Sequence, residues 1–499
     1  MTGARETFKT MLPLTPEACY RAFQAHDVRF DGRIYVGVTS TGIYCRPICP
    51  ARSPKFENCR YFISAAAAQT AGFRPCLRCR PEIAPELTSF RGTSNTVSRA
   101  LALIAEGALD ADSDVASLAA RLGVGERHLR RLFQQHLGAP PVAVAQTRRV
   151  LFAKQLIQET HMPMAQVAFA SGFRSLRRFN ETFQTLFQRP PSALRRKTLP
   201  TDASAPITLN LTYRPPYDWE SMLAFLEARA VAGVESLTNG AYHRTFKQDG
   251  VCGTIEVVHA PARNSLKATI RMPRIPSMRT LPLIVARLRC VFDLAADIAA
   301  IDSHLARDPL LAPLIALRPG LRAPGSWDGF ELAVRAVLGQ QITVEAARHL
   351  AARLVSICGD PLASFSNSLT RLFPTADQVA SADLSAIGMP ASRRATLHAV
   401  ANAALADSAL FEACANLPDA LARLRSIHGV GVWTAEYIAL RALREPDAFP
   451  ASDIALLRRA AALSGTHSTP ADLLERAVPW RPWRAYAAQH LWTSGVPCA

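Results

Sequence analysis

The chain has 499 residues and 49% hydrophobic content, enough for several cores and, at roughly 150 residues per domain, for three or four domains. No run of about 18 apolar residues occurs, and the opening MTGARETFKTMLPLTPEAC has no apolar signal core, so neither a membrane span nor secretion is predicted. The net charge of +17 is uneven: residues 1–200 carry 28 Lys/Arg against 14 Asp/Glu, and residues 201–499 carry 29 against 26. Phosphate-bearing partners are expected chiefly for the first part, although a basic balance also fits a surface that is merely well solvated.

The first informative stretch is GIYCRPICPARSPKFENCRYFISAAAAQTAGFRPCLRCRPE, from Gly42 to Glu82. Three residues separate Cys45 from Cys49, and two separate Cys76 from Cys79. Two such pairs can bring four thiolates to the corners of a tetrahedron, the geometry zinc prefers. Eleven cysteines with four grouped fit a reduced compartment and a metal site better than a disulfide framework. The spacing is compatible with a closed structural site and equally with a reactive one, because zinc keeps sulfur deprotonated and the thiolate is the nucleophile. Cys59 lies off the spacing and is read as an ordinary cysteine. Tyr44, Arg46, Arg60, Tyr61, Phe73, Arg74, Arg78 and Arg80 are threaded between the ligands, a basic aromatic surface suited to nucleic acid.

TGIYCRP followed by Cys49, then AGFRPCLRCRP, resembles the N-terminal domain of the Ada family of bacterial adaptive-response regulators over roughly residues 16–85. The resemblance implies that Cys45 accepts a methyl group irreversibly from a DNA methylphosphotriester. It also implies that Cys49, Cys76 and Cys79 hold one Zn(2+) per chain together with Cys45. Methylation would convert a thiolate to a thioether, raise the formal charge of the site from −2 by one, and tighten DNA binding.

Helical periodicity begins near Asn95. DVASLAARLGVGERHLRRLFQQHLG places Val115, Leu118, Ala119 and Leu122 on one face and Leu129, Leu132, Phe133 and Leu137 on the next. A second unit, MPMAQVAFASGFRSLRRFNETFQTLFQRPP, repeats the pattern, with Gly123 and Gly172 at equivalent turns and a long helix over 141–159 joining the two. The second helix of each unit carries basic residues: Arg127, Arg130 and Arg131, then Arg174, Arg177 and Arg178. Such a helix can lie in a major groove, or it can be the solvated face of an ordinary hairpin. Two units in tandem closed by FQRPPSALRR resemble the AraC-type DNA-binding domain, which implies transcription regulation through two successive groove segments.

KTLPTDASAP, residues 197–206, is polar and aperiodic and reads as a linker. A Pro-Cys-His-Arg methyltransferase site is not found; Pro497 and Cys498 stand too near the end to found a domain, so O6-methylguanine repair is not predicted. Residues 207–275 alternate like strands around one helical segment, and the pattern is helical from about 281. LRSIHGVGVWTAEYIALRALREPDAFPASDIALLRRAA then reads helix, Gly429-Val430-Gly431, helix, a hairpin whose backbone can approach a phosphate. A plain helix cap fits the two glycines as well, and Asp453 has an equally plain reading as an N-cap.

The hairpin with its downstream Pro and Asp resembles the helix-hairpin-helix base-excision superfamily. PPYDW, AVRAVLGQQ, GVGVWTAEYIALR and WRPWRAYAAQHLW resemble the AlkA family of DNA-3-methyladenine glycosylases over about residues 207–496. This implies that Asp453 is catalytic, stabilising a sugar cation as the base leaves, and that Tyr437, Trp492 and Trp433 form a base pocket, each with an alternative as core. Two positions depart from the superfamily. Trp433 replaces the Lys of bifunctional members, so no Schiff base and no strand cleavage are expected. Gln341 replaces the Leu wedge that fills the gap left by a flipped base.

The fold class expected is multidomain and mainly α with α+β parts. Residues 1–88 form a small four-cysteine zinc α/β domain, and 93–196 a double helix-turn-helix. An α+β subdomain over 207–278 and a helix-hairpin-helix glycosylase core over 279–499 complete the chain. Double-stranded DNA, alkylated or promoter, is the expected partner, with RNA polymerase as a further one, and the protein is expected to be a monomer in the bacterial cytoplasm, associated with the nucleoid. Two alternatives stay open: a regulator whose glycosylase-like half is inactive, and a repair enzyme whose helix-turn-helix units only aid its search.

Overall fold

The computed structural model describes residues 14–85, 94–110, 114–195 and 205–495, except 274, 276, 278, 367 and 413–415. Most of the predicted linker, together with Pro497 and Cys498, lies outside the described residues. The chain folds as two compact units, one running to Tyr213 and including residues 273–286, the other formed by Arg214–Met272 and residues 287–499. No helix among the described residues is long and apolar enough to cross a membrane.

The first unit opens with helix α1 (Pro16–Gln24), whose N-cap Thr15 accepts from Ala18 N and which buries Cys19, Ala22 and Phe23. Strands β1 (Tyr35–Val38), β2 (Ile43–Cys45), β3 (Cys59–Phe62) and β4 (Arg74–Pro75) form a sheet in the order β3-β1-β2-β4. β1 pairs antiparallel with β2 and β3, whereas β2 pairs parallel with β4 through Tyr44↔Pro75. That register delivers the next residue of each chain segment, Cys45 and Cys76, to the same end of the sheet. Gly37 is demanded by packing, since a Cβ there would stand 2.8 Å from the Phe62 ring and 2.9 Å from that of Phe73. Helix α2 (Ala65–Thr70), capped by Ser64, buries Ala65 to Ala68.

Helices α3 (Ser94–Ala105), α4 (Val115–Arg121) and α5 (Glu126–Leu137) share one core, which buries every residue expected on the two apolar faces. Helix α6 (Pro141–Glu159) leads to α7 (Met164–Ala170) and α8 (Leu176–Phe187). Phe179, Phe183 and Phe187, at helical spacing on α8, are buried with successive ring centroids 4.8 and 5.3 Å apart. Gly123 (φ 66°) and Gly172 (φ 86°) make the two turns in the left-handed region.

The small sheet docks on α6 through polar contacts that the sequence does not announce. Lys154 has no exposed surface, and its Nζ donates to Glu82 Oε2 at 2.7 Å and to Cys76 O at 3.0 Å. Arg80 pairs with Glu159 at 2.9 Å, and Thr147 Oγ1 donates to Gln69 Oε1 at 3.0 Å. Glu159 in turn accepts from Asn210 N at 3.0 Å, in strand β5 (Ile207–Thr212).

In the second unit, helix α9 (Trp219–Glu227) precedes an antiparallel meander of β6 (Glu235–Thr238), β7 (Ala241–Gln248), β8 (Val251–Ala260) and β9 (Ser265–Arg271). The helical body includes α10 (Gly329–Leu338), α11 (Val344–Cys358), α12 (Ala391–Ala406), α13 (Leu417–Arg425), α14 (Val432–Arg441), α15 (Ile454–Ser464) and α16 (Arg484–Thr493). Val334, Val337, Leu354, Leu397, Val400, Leu424, Ile438, Leu456 and Leu491 meet in one core. Each such side chain contributes about 1.5–3 kcal/mol on burial. Meander and helices are keyed together by a buried ionic cluster: Arg244 to Glu331 at 2.9 Å, Arg335 to Glu235 at 2.6 Å, and Tyr242 OH donating to Glu235 at 2.6 Å. Burial would raise the Glu235 carboxyl, but Arg335 and Arg244 hold it below its ordinary range.

Candidate functional sites

Cys45 ends β2, Cys76 follows β4, and Cys49 and Cys79 come from the loops just beyond. Their four Sγ atoms lie within 4.8 Å of one another, and all four residues are buried. A Zn–S bond of about 2.3 Å places tetrahedral sulfurs about 3.8 Å apart, so the cluster fits a zinc ion. Four crowded thiols cannot all ionise without a cation: hydrogen bonding to Cys49 drives the Cys45 thiol far up, while hydrogen bonding from Cys45 drives Cys76 far down. The donor set and its charge both ask for a soft dication.

The four sulfurs are not equivalent. Arg46 N donates to Cys79 Sγ and Arg78 N to Cys76 Sγ, each at 3.3 Å. Among the described residues no backbone amide is directed at Cys45. Cys49 is wholly enclosed, whereas Cys45 keeps 7% of its surface. A sulfur without N–H donors retains more charge and attacks better.

The arginines interleaved with the cysteines divide into two sets. Arg46 is buried, gripping Asp31 through Nε at 2.8 Å and through Nη2, and donating to Cys79 O at 3.0 Å. Arg80 is engaged by Glu82 and Glu159. These two tie the loop to its surroundings, whereas Arg60 and Arg78 are exposed.

Arg127, Arg130 and Arg131 on α5, and Arg177 and Arg178 on α8 with Arg174 just before it, are all exposed. Arg130 pairs with Glu126 at 2.5 Å and Arg177 with Glu181 at 2.8 Å, both one helical turn apart. Such solvent-screened surface pairs are weak, so a phosphate can displace them. The buried stripes of both helices turn these arginines outward, the presentation a groove-reading helix needs.

In the second unit, α13 and α14 form the hairpin. Gly429 (φ 79°) has no room for a side chain: a Cβ would lie 1.9 Å from Thr396 Oγ1. Gly431 is extended, exposed and open around its Cα, and it caps α14. The two glycines therefore differ: tight packing demands Gly429, whereas Gly431 leaves the space before the first amides of α14 open. Gln340, next to the expected wedge, braces the hairpin by donating to Gly429 O at 3.1 Å and Thr434 Oγ1 at 3.0 Å. Gln341 itself is exposed between α10 and α11 in the left-handed region (φ 57°), an uncommon conformation for a residue other than glycine.

Asp453 is the N-cap of α15, its Oδ1 accepting from Leu456 N at 3.0 Å. Trp433 Nε1 donates to its Oδ2 at 2.8 Å and Trp492 Nε1 to its Oδ1 at 3.1 Å. Trp433 stacks on Tyr437 with centroids 5.3 Å apart and planes 14° apart, and Tyr437 meets Trp492 edge-on at 6.3 Å. The three aromatic residues and the aspartate expected from the sequence thus meet in one cluster. Sequence reading missed its backing. Arg441 is buried behind the rings, 5.2 Å from the Trp492 centroid and 5.7 Å from that of Tyr437, and its guanidinium is lowered to about 10 by burial. Phe225 and Arg229, on and just after α9, complete the backing, with Arg229 3.9 Å above the Phe225 ring. Burial would raise the Tyr437 phenol, yet Arg441 and Arg229 hold it below its ordinary value. The only signal for Arg441 was its place on the helix that carries Trp433 and Tyr437.

Four family models match the chain: the metal binding domain of Ada over residues 18–82, a helix-turn-helix domain over 118–197, the AlkA N-terminal domain over 208–328 and the HhH-GPD superfamily base excision DNA repair protein over 334–484. The chain is 41% identical over 484 residues to a probable bifunctional transcriptional activator/DNA repair enzyme AlkA of Mycobacterium tuberculosis, covering 96% of each. It is 35% identical over 285 residues to DNA-3-methyladenine glycosylase 2 of Escherichia coli, covering 56% of this chain and 95% of the relative. In fold, it is similar to a 3-methyladenine DNA glycosylase from Archaeoglobus fulgidus, with a TM-score of 0.50 at 20% identity, over 57% of this chain and 97% of that one.

Proposed function

Because the chain belongs to the family of bifunctional transcriptional activator/DNA repair enzymes that join an Ada-type half to an AlkA-type half, we propose that it senses DNA alkylation with one half and excises alkylated bases with the other. It carries a four-cysteine zinc site, a helix-turn-helix domain and a helix-hairpin-helix glycosylase fold, and it acts on DNA. The finer assignments follow from the two sites.

Cys45, Cys49, Cys76 and Cys79 hold the zinc, which when bound keeps their sulfurs as thiolates at neutral pH. Cys45 Sγ attacks the methyl carbon of a DNA methylphosphotriester. The S–C bond forms as the C–O bond breaks, and the phosphate departs as a diester anion. No group in the site can remove the methyl, so each molecule reacts once. The site becomes less negative by one charge, and Arg127, Arg130, Arg131, Arg174, Arg177 and Arg178 engage promoter DNA more tightly. As a monomer in the cytoplasm, the protein then contacts RNA polymerase. What supports Cys45 as acceptor is that the amide donors go to Cys76 and Cys79, while Cys49 is wholly enclosed and Cys45 keeps some exposure.

The second half binds the duplex backbone at Gly429 and Gly431, fills the gap with Gln341 and receives the extruded nucleotide against Tyr437, Trp492 and Trp433. The N-glycosidic bond breaks with its electrons leaving on the base, and Asp453 stabilises the sugar cation until water adds. Trp433 stands where an amine would be needed for a Schiff base, so the enzyme is monofunctional and releases the base without cutting the strand. The observation that carries this reading is Asp453, capped on a helix and held among aromatic rings. It also disfavours an inactive module.

The experiment is base release from methylated duplex DNA by the wild-type protein and by Asp453→Asn. Release by the former and retention of DNA binding without release by the latter are expected; an active Asp453→Asn would sink the assignment. Promoter binding by Cys45-methylated and unmethylated protein separates regulation from search, since tighter binding after methylation is expected only of a regulator.

A further inference from the structure

The Asp453 carboxylate accepts three hydrogen bonds among the described residues, and two of them come from indoles on different helices. Trp433 Nε1 on α14 lies 2.8 Å from Oδ2, Trp492 Nε1 on α16 lies 3.1 Å from Oδ1, and Leu456 N takes the second position on Oδ1 at 3.0 Å. An indole needed only for its face has no reason to aim its N–H at one oxygen. Here each oxygen has its own indole. A carboxylate offers about four acceptor directions, so one remains, on Oδ2. The Asp side chain is otherwise loose, because rotation about its last torsion is broad and roughly two-fold. Two donors approaching from separate helices fix the plane, and the Trp433 ring is itself fixed by stacking on Tyr437.

Resting on the reading of Asp453 as the group that stabilises the sugar cation, we propose that Trp433 and Trp492 are positioning residues. Their N–H groups hold both oxygens of Asp453, leaving one direction on Oδ2 for the positive charge that develops at the sugar. This is separate from any contact of the rings with the damaged base. It also accounts for an indole at 433, where Phe or Tyr would stack equally well but could not reach the carboxylate with an in-plane N–H.

Trp433→Phe and Trp492→Phe keep a ring and remove the donor. Two probes carry no base at all: duplex DNA with a cationic pyrrolidine in place of the sugar, and duplex DNA with a neutral tetrahydrofuran abasic analogue. Stacking on a base cannot register with either probe. Each substitution should weaken pyrrolidine binding about tenfold, the effect of one hydrogen bond to a charged group. Tetrahydrofuran binding should stay within about twofold, and single-turnover release of 3-methyladenine should slow without a change in half-saturating enzyme concentration. An unchanged ratio of the two affinities in both variants, or an equal loss of both affinities, would overturn the proposal. Asp453→Asn run alongside separates the two readings. If it too leaves the ratio and base release intact, the catalytic role of Asp453 fails; if it collapses both while the Phe variants do not, only the positioning role fails.

Discussion

The four-sulfur cluster and the Asp453 pocket solve the same problem, holding a reactive anion in a protein, by opposite means. The cluster gathers up to four negative charges within 4.8 Å, which only a cation can reconcile, and among the described residues it directs no backbone amide at Cys45. The pocket holds a single carboxylate with neutral donors and a helix N-terminus, and needs no ion. A sulfur that keeps its charge is a nucleophile and, on the proposed reading, is used up by success. A carboxylate whose charge is shared among three donors is a poor nucleophile and a good counter-ion, and on the proposed reading it is unchanged after the base leaves. One arrangement suits a signal and the other suits turnover.

The largest effects should come from exchanging damage between the two regions. Cys45→Ala should lower methyl transfer from phosphotriester DNA by more than about a thousandfold and leave base release within about twofold. Asp453→Asn should lower base release about a hundred- to a thousandfold and leave methyl transfer intact. Labelled methyl transfer and base release assayed on both variants check this, and cross-talk in either direction breaks the comparison. Next in size, Lys154→Met leaves buried Glu82 with Arg80 as its one remaining ion-pair partner among the described residues and should cost the first unit about 3 kcal/mol, read by urea unfolding. Gly429→Ala meets Thr396 in a left-handed backbone and should cost the second unit about 2 kcal/mol, read the same way, with zinc content unchanged. The smallest effect is that of Arg178→Ala, which should flatten the slope of log affinity against log salt by about one at a promoter site.

What could be read from the chain alone was whatever is written locally. Cysteine spacing, the Gly-centred turns and the apolar faces of α4, α5 and α8 are each set by neighbours a few residues away. Asp453 and its aromatic company were legible only through family resemblance. The bonds that organise them join residues 20 and 39 positions apart, and no periodicity encodes that distance. Arg46 and Arg80 read as ligand-facing because composition does not distinguish an arginine that meets phosphate from one that ties a loop. Gly429 and Gly431 read as a pair, although steric demand falls on one and open space surrounds the other. Lys154 gave no sign at all, being one lysine in a long helix until its partner Glu82 is placed opposite.

That lysine has a practical consequence. Its amine is sealed between α6 and the loop carrying Cys76, with no surface exposed. An amine-reactive label can reach it only while that seam is open. The extent of Lys154 modification, measured by peptide mass against exposed lysines such as Lys55, is therefore a built-in gauge of how often the sulfur-bearing loop parts from the helix that joins the two DNA-reading units.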